Sequence, residues 1–99
     1  MHVHTALFWL LKTLSPEDRQ AFRNGLDLLT SDPRIRARSV GVPAETHRSV
    51  IERGYDYGIV LTFDSLSDHD AYQSGAPHQQ FLDTCAHMWT RVQVIDLQT

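Results

Sequence analysis

With 99 residues, 41% of them hydrophobic and 21% charged, the chain reads as a single globular domain, 1–99, carrying a net charge of −3. That balance leaves no electrostatic footprint for nucleic acid, and no run approaches the roughly 20 apolar residues of a membrane span. The one cysteine, Cys85, excludes an internal disulfide and fits a reducing, cytoplasmic setting.

Val3 to Lys12 is rich in aromatic and aliphatic residues and reads as the first strand. Its apolar stretch, Ala6 to Leu11, is too short for a signal peptide and follows histidines rather than lysines. Ser15-Pro16-Glu17-Asp18 then signals a helix. Serine can cap it, proline fits its first position, and the acids complement the positive end of its dipole. Phe22, Gly25, Leu26 and Leu29 fall at helical spacing and form its inward face, before Ser31-Asp32-Pro33 ends it.

Ile35 to Val42 reads as a second strand, with Arg34, Arg36 and Arg38 on one side against Ile35 and Ala37. A solvated strand side is the usual meaning of such a stripe, and a carboxylate ligand or a partner subunit the alternative. Pro43 to Gly54 is a polar loop longer than a tight hairpin needs, a candidate lid. Tyr55 to Phe63 forms a third strand, with Tyr55, Tyr57, Ile59, Leu61 and Phe63 sharing a side. A short helix from about Ser67 to Gln73, a longer one from Pro77 to about Thr90, and a strand from Val92 to Leu97 complete the chain. The order β-α-β-β-α-β, its second helix broken, is the ferredoxin-like pattern: α+β, with a four-stranded antiparallel sheet.

The first strand is apolar on both sides, with Ala6, Phe8 and Leu10 on one and Leu7, Trp9 and Leu11 on the other. Two helices cover only one face of such a sheet. Leu7, Trp9, Leu11, Val60, Ile95 and Leu97 would then form an unusually large exposed apolar patch. A second copy, sheet against sheet, is the economical cover, so a homodimer is expected.

AYQSGAPHQQF, Ala71 to Phe81, places Tyr72 and His78 on either side of a Gly-Ala-Pro break. Six residues of unbroken helix turn through about 600° and would point the two rings apart. Pro77 disfavours helical geometry at Ala76, and Gly75 relaxes the backbone, so two helical pieces can meet and aim both rings into one space. A phenol and an imidazole converging on a cavity form an acid–base pair.

The chain resembles the stress-responsive A/B barrel (Dabb) family. The likeness rests on His4 in HTALFWLLK, on Gly54-Tyr55-Asp56-Tyr57, on AYQSGAPHQQF, and on the closing VQVID, Val92 to Asp96. It implies a ferredoxin-like domain that pairs through its sheet into a dimeric α/β barrel. Most members have no established activity. A plant branch comprises polyketide cyclases that close a ring by intramolecular aldol condensation. By that likeness, Tyr72 and His78 would be the catalytic pair, with His4 and Trp89 lining the pocket. The chain departs at Tyr57, where that branch has a histidine, and at Arg23 and Leu26, which replace aromatic residues of its acyl pocket.

The expected site is an apolar pocket lined by Tyr57, Ile59, Trp89, Val92 and Val94, with Tyr72 and His78 at its polar end. His78 shares a helical face with Phe81, Leu82, Cys85, Met88 and Trp89, and the positive helix end favours its neutral form. Packing alone is the competing reading for each ring. His2 and His4 have a spacing that can chelate a metal, yet no carboxylate or cysteine lies near them in sequence. No metal or cofactor is therefore expected, and His4 reads as pocket wall. His47, His69 and His87 read as exposed or incidental, and Cys85 as an inert core thiol.

Three functions follow as expectations. One is a cofactor-free cyclase, isomerase or lyase that moves a proton beside a carbonyl of a small hydrophobic or aromatic acid. The second is a non-catalytic ligand-binding or stress-response homodimer. A cofactor-free oxygenase is the third.

Overall fold

In the computed structural model, which describes residues 1–99, His2–Leu10 form β1. Strand alternation sorts its side chains between two environments. His2, His4, Ala6, Phe8 and Leu10 are buried under helices, whereas Val3, Thr5, Leu7 and Trp9 are only partly covered. Helix α1 (Pro16–Leu29), strands β2 (Ile35–Gly41) and β3 (Tyr57–Phe63), helices α2 (Leu66–Gln73) and α3 (Ala76–Cys85), and strand β4 (Trp89–Gln98) follow. The sheet runs β2-β3-β1-β4 and is antiparallel throughout, so the ferredoxin-like expectation holds. In its register His4 lies between Leu61 and Asp96, and Ala6 between Ile59 and Val94.

The starts of α1 and α2 use the same device. Ser15 Oγ accepts a hydrogen bond from the Asp18 amide at 3.0 Å, and Ser65 Oγ accepts one from Asp68 at 3.1 Å. Phe22, Leu26 and Leu29 of α1 are buried on the sheet, as their spacing predicts. Phe8, Phe22, Phe81 and Trp89 form the aromatic centre of the core, with neighbouring ring centroids 5.3–6.3 Å apart. Contacts of this kind add about 0.5–1.5 kcal/mol each beyond simple burial.

Three sequence readings change. β3 begins at Tyr57, leaving Tyr55 in the preceding loop, where its ring meets Trp9 at 6.4 Å. The last helix stops at Cys85, and a 3-10 turn, Ala86–Met88, delivers Trp89 as the first residue of β4. Pairing with β1 claims these residues: Leu10 pairs with Trp89, and the Leu11 amide donates to the Met88 carbonyl at 2.9 Å. The tighter turn keeps Met88 inward, and this imitates a continuing helix in the sequence pattern. The arginine stripe also breaks up, because a register shift between Ile35 and Ala37 puts an extra residue into β2. Arg36 reaches out to Asp64 at 2.8 Å, while Arg38 turns in and donates to the Thr30 carbonyl at 2.7 Å.

α1 and α3 approach closely at Gly25, where an added Cβ would stand 2.7 Å from Cys85 Sγ. Gly25→Ala is therefore expected to destabilise by about 1–3 kcal/mol, despite the better helix propensity of alanine. Adding Cys85→Ala should recover part of that loss in a chemical denaturation series, since the two changes share one space.

The face of the sheet away from the helices has no cover within the chain. Val60, Ile95 and Leu97 are 41%, 52% and 59% exposed there. Trp9 on the same face is partly sheltered by Arg91, whose guanidinium carbon lies 4.3 Å from the ring centre. No helix is long and apolar enough to cross a membrane.

Candidate functional site

The break between α2 and α3 falls at Ser74 and Gly75. Gly75 is extended and caps α3, and Ala76 is already helical, so the turn lies one residue earlier than the proline argument places it. A Cβ on Gly75 would sit 3.1 Å from the Ala71 carbonyl oxygen and 3.4 Å from that of Tyr72. The tight turn at the end of α2 thus favours glycine. Pro77, in the first turn of α3, costs no hydrogen bond there.

That junction brings Tyr72 and His78 together edge to face, with centroids 5.4 Å apart and planes at 80°. Both line a cavity of about 190 Å³ between the helices and the β1–β4 side of the sheet. His4, Ile59, Trp89, Val92 and Val94 line it as well. Val92 and Val94 remain 42% and 48% exposed on β4, the edge strand of the sheet. Tyr57 does not line the cavity. Its ring packs against Phe22, with centroids 5.7 Å apart, in the aromatic core beyond Ile59. No residue of the 43–54 loop lines the cavity either, so it forms no lid here.

The two rings have opposite electrostatic tendencies. Tyr72 is 2% exposed, and burial, helped by the Asp32 carboxylate, raises its phenol well above the ordinary 10. It therefore stays protonated, as a hydrogen-bond donor. Burial lowers His78 below the ordinary 6.5, and positive charge on His4 or His69 would push it the same way. It therefore stays neutral near pH 7, with a lone pair to offer. The chain supplies no hydrogen-bond partner for the Tyr72 hydroxyl or the His78 ring.

Beside the cavity lies a second polar group that sequence reasoning divided. His69, read as exposed or incidental, is buried at 7% exposure against His2 and His4. Asp96 Oδ1 accepts from His4 Nδ1 at 2.7 Å and from His2 Nε2 at 3.0 Å. His69 Nε2 comes within 3.3 Å of His4 Nδ1, and its Nδ1 meets Asp70 at 3.1 Å. The Gln73 amide approaches His4 Nε2 at 3.5 Å and His69 Nε2 at 3.4 Å. Burial lowers the pKa of His4 more than Asp96 raises it. Burial alone would raise Asp96, but its histidine hydrogen bonds prevail and hold the carboxyl below its usual range. Only the strand register, with Asp96 opposite His4, could have connected these residues in advance. His47 and His87 are exposed, and Cys85 is buried, as expected.

A four-stranded ferredoxin-like sheet with one face under helices and a cavity between the layers defines the class. The chain belongs to the stress-responsive A/B barrel (Dabb) family, whose domain description matches residues 3–99. No curated protein matches it. Among solved structures it is similar to a dimeric ferredoxin-like protein of unknown function from Thermobifida fusca YX. That match has 21% identity and a TM-score of 0.79, covering 99% of this chain and 90% of the other. A Dabb family protein from Mesorhizobium loti is similar at 15% identity and a TM-score of 0.79, with coverage of 99% and 95%. Hydroxynitrile lyase from Passiflora edulis is similar at 16% identity and a TM-score of 0.78, with coverage of 97% and 90%. These likenesses show the shared fold.

Proposed function

We propose that this protein is a cytoplasmic homodimer in which each subunit binds a small hydrophobic molecule and moves a proton on it without a cofactor. The observation that carries the reading is the Tyr72–His78 contact in the wall of the cavity. A substrate would place a C–H next to a carbonyl against the neutral His78 ring, which takes the proton as general base. The electron pair moves onto the carbonyl oxygen, where the Tyr72 hydroxyl donates a hydrogen bond to the enolate. His4, on the same wall, lines the polar end with its Nδ1 hydrogen committed to Asp96, while Ile59, Trp89, Val92 and Val94 hold the apolar body of the substrate. Cyclisation, isomerisation and aldol-type condensation share this step. A hydroxynitrile lyase on the same fold supports the capacity of the scaffold for lyase chemistry. The description of similar structures as dimeric supports the homodimer, as does the uncovered sheet face.

The test is a turnover screen against polyketide-like and aromatic carbonyl acids, followed by a pH profile of the best substrate. Because burial lowers the pKa of His78 below 6.5, the neutral base is already the majority form at that pH. The acid limb of kcat/KM is therefore expected to be centred below pH 6.5. An acid limb centred above 6.5 would contradict the assignment. Stoichiometric binding without turnover across the panel would instead favour a carrier.

A further inference from the structure

We propose that His2, His4, His69 and Asp96 form a binding site for one divalent transition-metal ion of the zinc type. One ligand atom from each of the four residues lies within 4.8 Å of the others, and the atoms in closest contact are His2 Nε2, His4 Nδ1, His69 Nε2 and Asp96 Oδ1. Ligands about 2.0–2.1 Å from a tetrahedral zinc stand about 3.3 Å apart. Four of the six separations at this cluster, 2.7, 3.0, 3.3 and 3.7 Å, bracket that edge, and every pair stays within 4.8 Å. Three imidazole nitrogens and one carboxylate are a ligand set that zinc accepts.

Proton counting points the same way. His69 Nδ1 faces the Asp70 carboxylate and carries its hydrogen towards it, so Nε2 presents a lone pair. That lone pair faces the Gln73 amide nitrogen at 3.4 Å, His4 Nδ1 at 3.3 Å and, at 3.7 Å, the Asp96 oxygen. Four electron-rich atoms therefore converge with only the His2 and His4 ring protons and one Gln73 amide hydrogen among them. A cation bound there would take the place of both ring protons, each moving to the other nitrogen of its ring, and of the Gln73 amide hydrogen, and would draw in all four atoms. The surroundings also suit ligation. A carboxylate on the far nitrogen of a ligating histidine fixes its ring and raises its basicity, which is the relation of Asp70 to His69. His4 bound through Nδ1 would hold its hydrogen on Nε2, beside the Gln73 amide, whose oxygen can rotate to accept it. The three histidines are buried, while the Asp96 side chain is 42% exposed and offers the way in.

The site shares only His4 with the cavity wall. Neither Tyr72 nor His78 supplies a ligand, and the test reads binding without turnover. Zinc and cobalt(II) would be titrated into the chelator-treated full chain, with competition against a chromophoric chelator and metal analysis after dialysis. One ion per chain is expected, with the intense visible absorption of tetrahedral cobalt(II). His69→Ala should weaken binding at least about 100-fold, and Asp70→Ala about tenfold, the range measured for outer partners of metal ligands. The exposed controls His47→Ala and His87→Ala should leave affinity unchanged. Should His69→Ala fail to fold by circular dichroism, His2→Ala, at the start of the first strand, must show the same loss. Retention below one ion per chain, a weak octahedral cobalt spectrum, or affinity indifferent to these ligand variants would overturn the site.

Discussion

His78→Ala is expected to lower turnover of a cavity-matched substrate by about 10²–10⁴-fold, the usual contribution of a positioned general base. Tyr72→Phe should cost about 10²–10³-fold in kcat, the scale for one donor to a developing oxyanion. The tyrosine variant is the cleaner probe. It keeps the ring that packs on Phe63 at 5.2 Å and on His4 at 6.2 Å, and it removes only a hydroxyl that no protein group engages. Both variants should bind ligand nearly as well as the parent, because Ile59, Trp89, Val92 and Val94 supply most of the apolar wall. Single-turnover kinetics beside calorimetric binding separates the two effects. Unchanged turnover in both variants would remove the acid–base pair and leave a binding protein.

Leu7→Asp is expected to convert a dimer into a monomer or an unfolded chain. Leu7 stands in the central strand between Gly58 and Gln93, on the face that no helix covers. A second sheet packed there would trap the new carboxylate without a partner, a cost of several kcal/mol. Light scattering at micromolar concentration should read two chains for the parent and one for the variant. The thermal midpoint of the parent should rise with protein concentration, and that dependence should vanish in the variant. A parent that scatters as a single chain would refute the dimer directly. Were the parent dimeric and Leu7→Asp without effect, the copies would have to meet elsewhere.

Much of this architecture is legible in local chemistry. Serine caps, proline at the first helical position and the alternation of β1 locate the elements. The Gly75 break correctly turns two helices so that Tyr72 and His78 converge. Residues whose role depends on distant pairing are less legible. α2, LSDHDAYQ, has no apolar stripe, so its buried side of His69 and Tyr72 looks solvated in the pattern. Asp96 meets His4 only because β4 pairs with β1 in one register, between residues 92 positions apart. Tyr57 shares a strand side with Ile59, which lines the cavity, but a large ring next to Phe22 gains more from joining the aromatic core. The inserted residue in β2 has no glycine or proline to advertise it, and one extra position moves Arg38 to the opposite side. Period-two reasoning assumes that a strand never skips.

The last amide of the chain, that of Thr99, donates to the Met1 carbonyl at 3.0 Å, so both termini emerge side by side. His2 and Asp96 sit just inside that seam. A purification handle fused to either end would therefore hang next to the cluster, and a polyhistidine handle would offer rival imidazoles within its reach. Handles cleaved off after purification, or moved into the exposed loop between β2 and β3, would keep such a reagent from passing for chemistry of the protein itself.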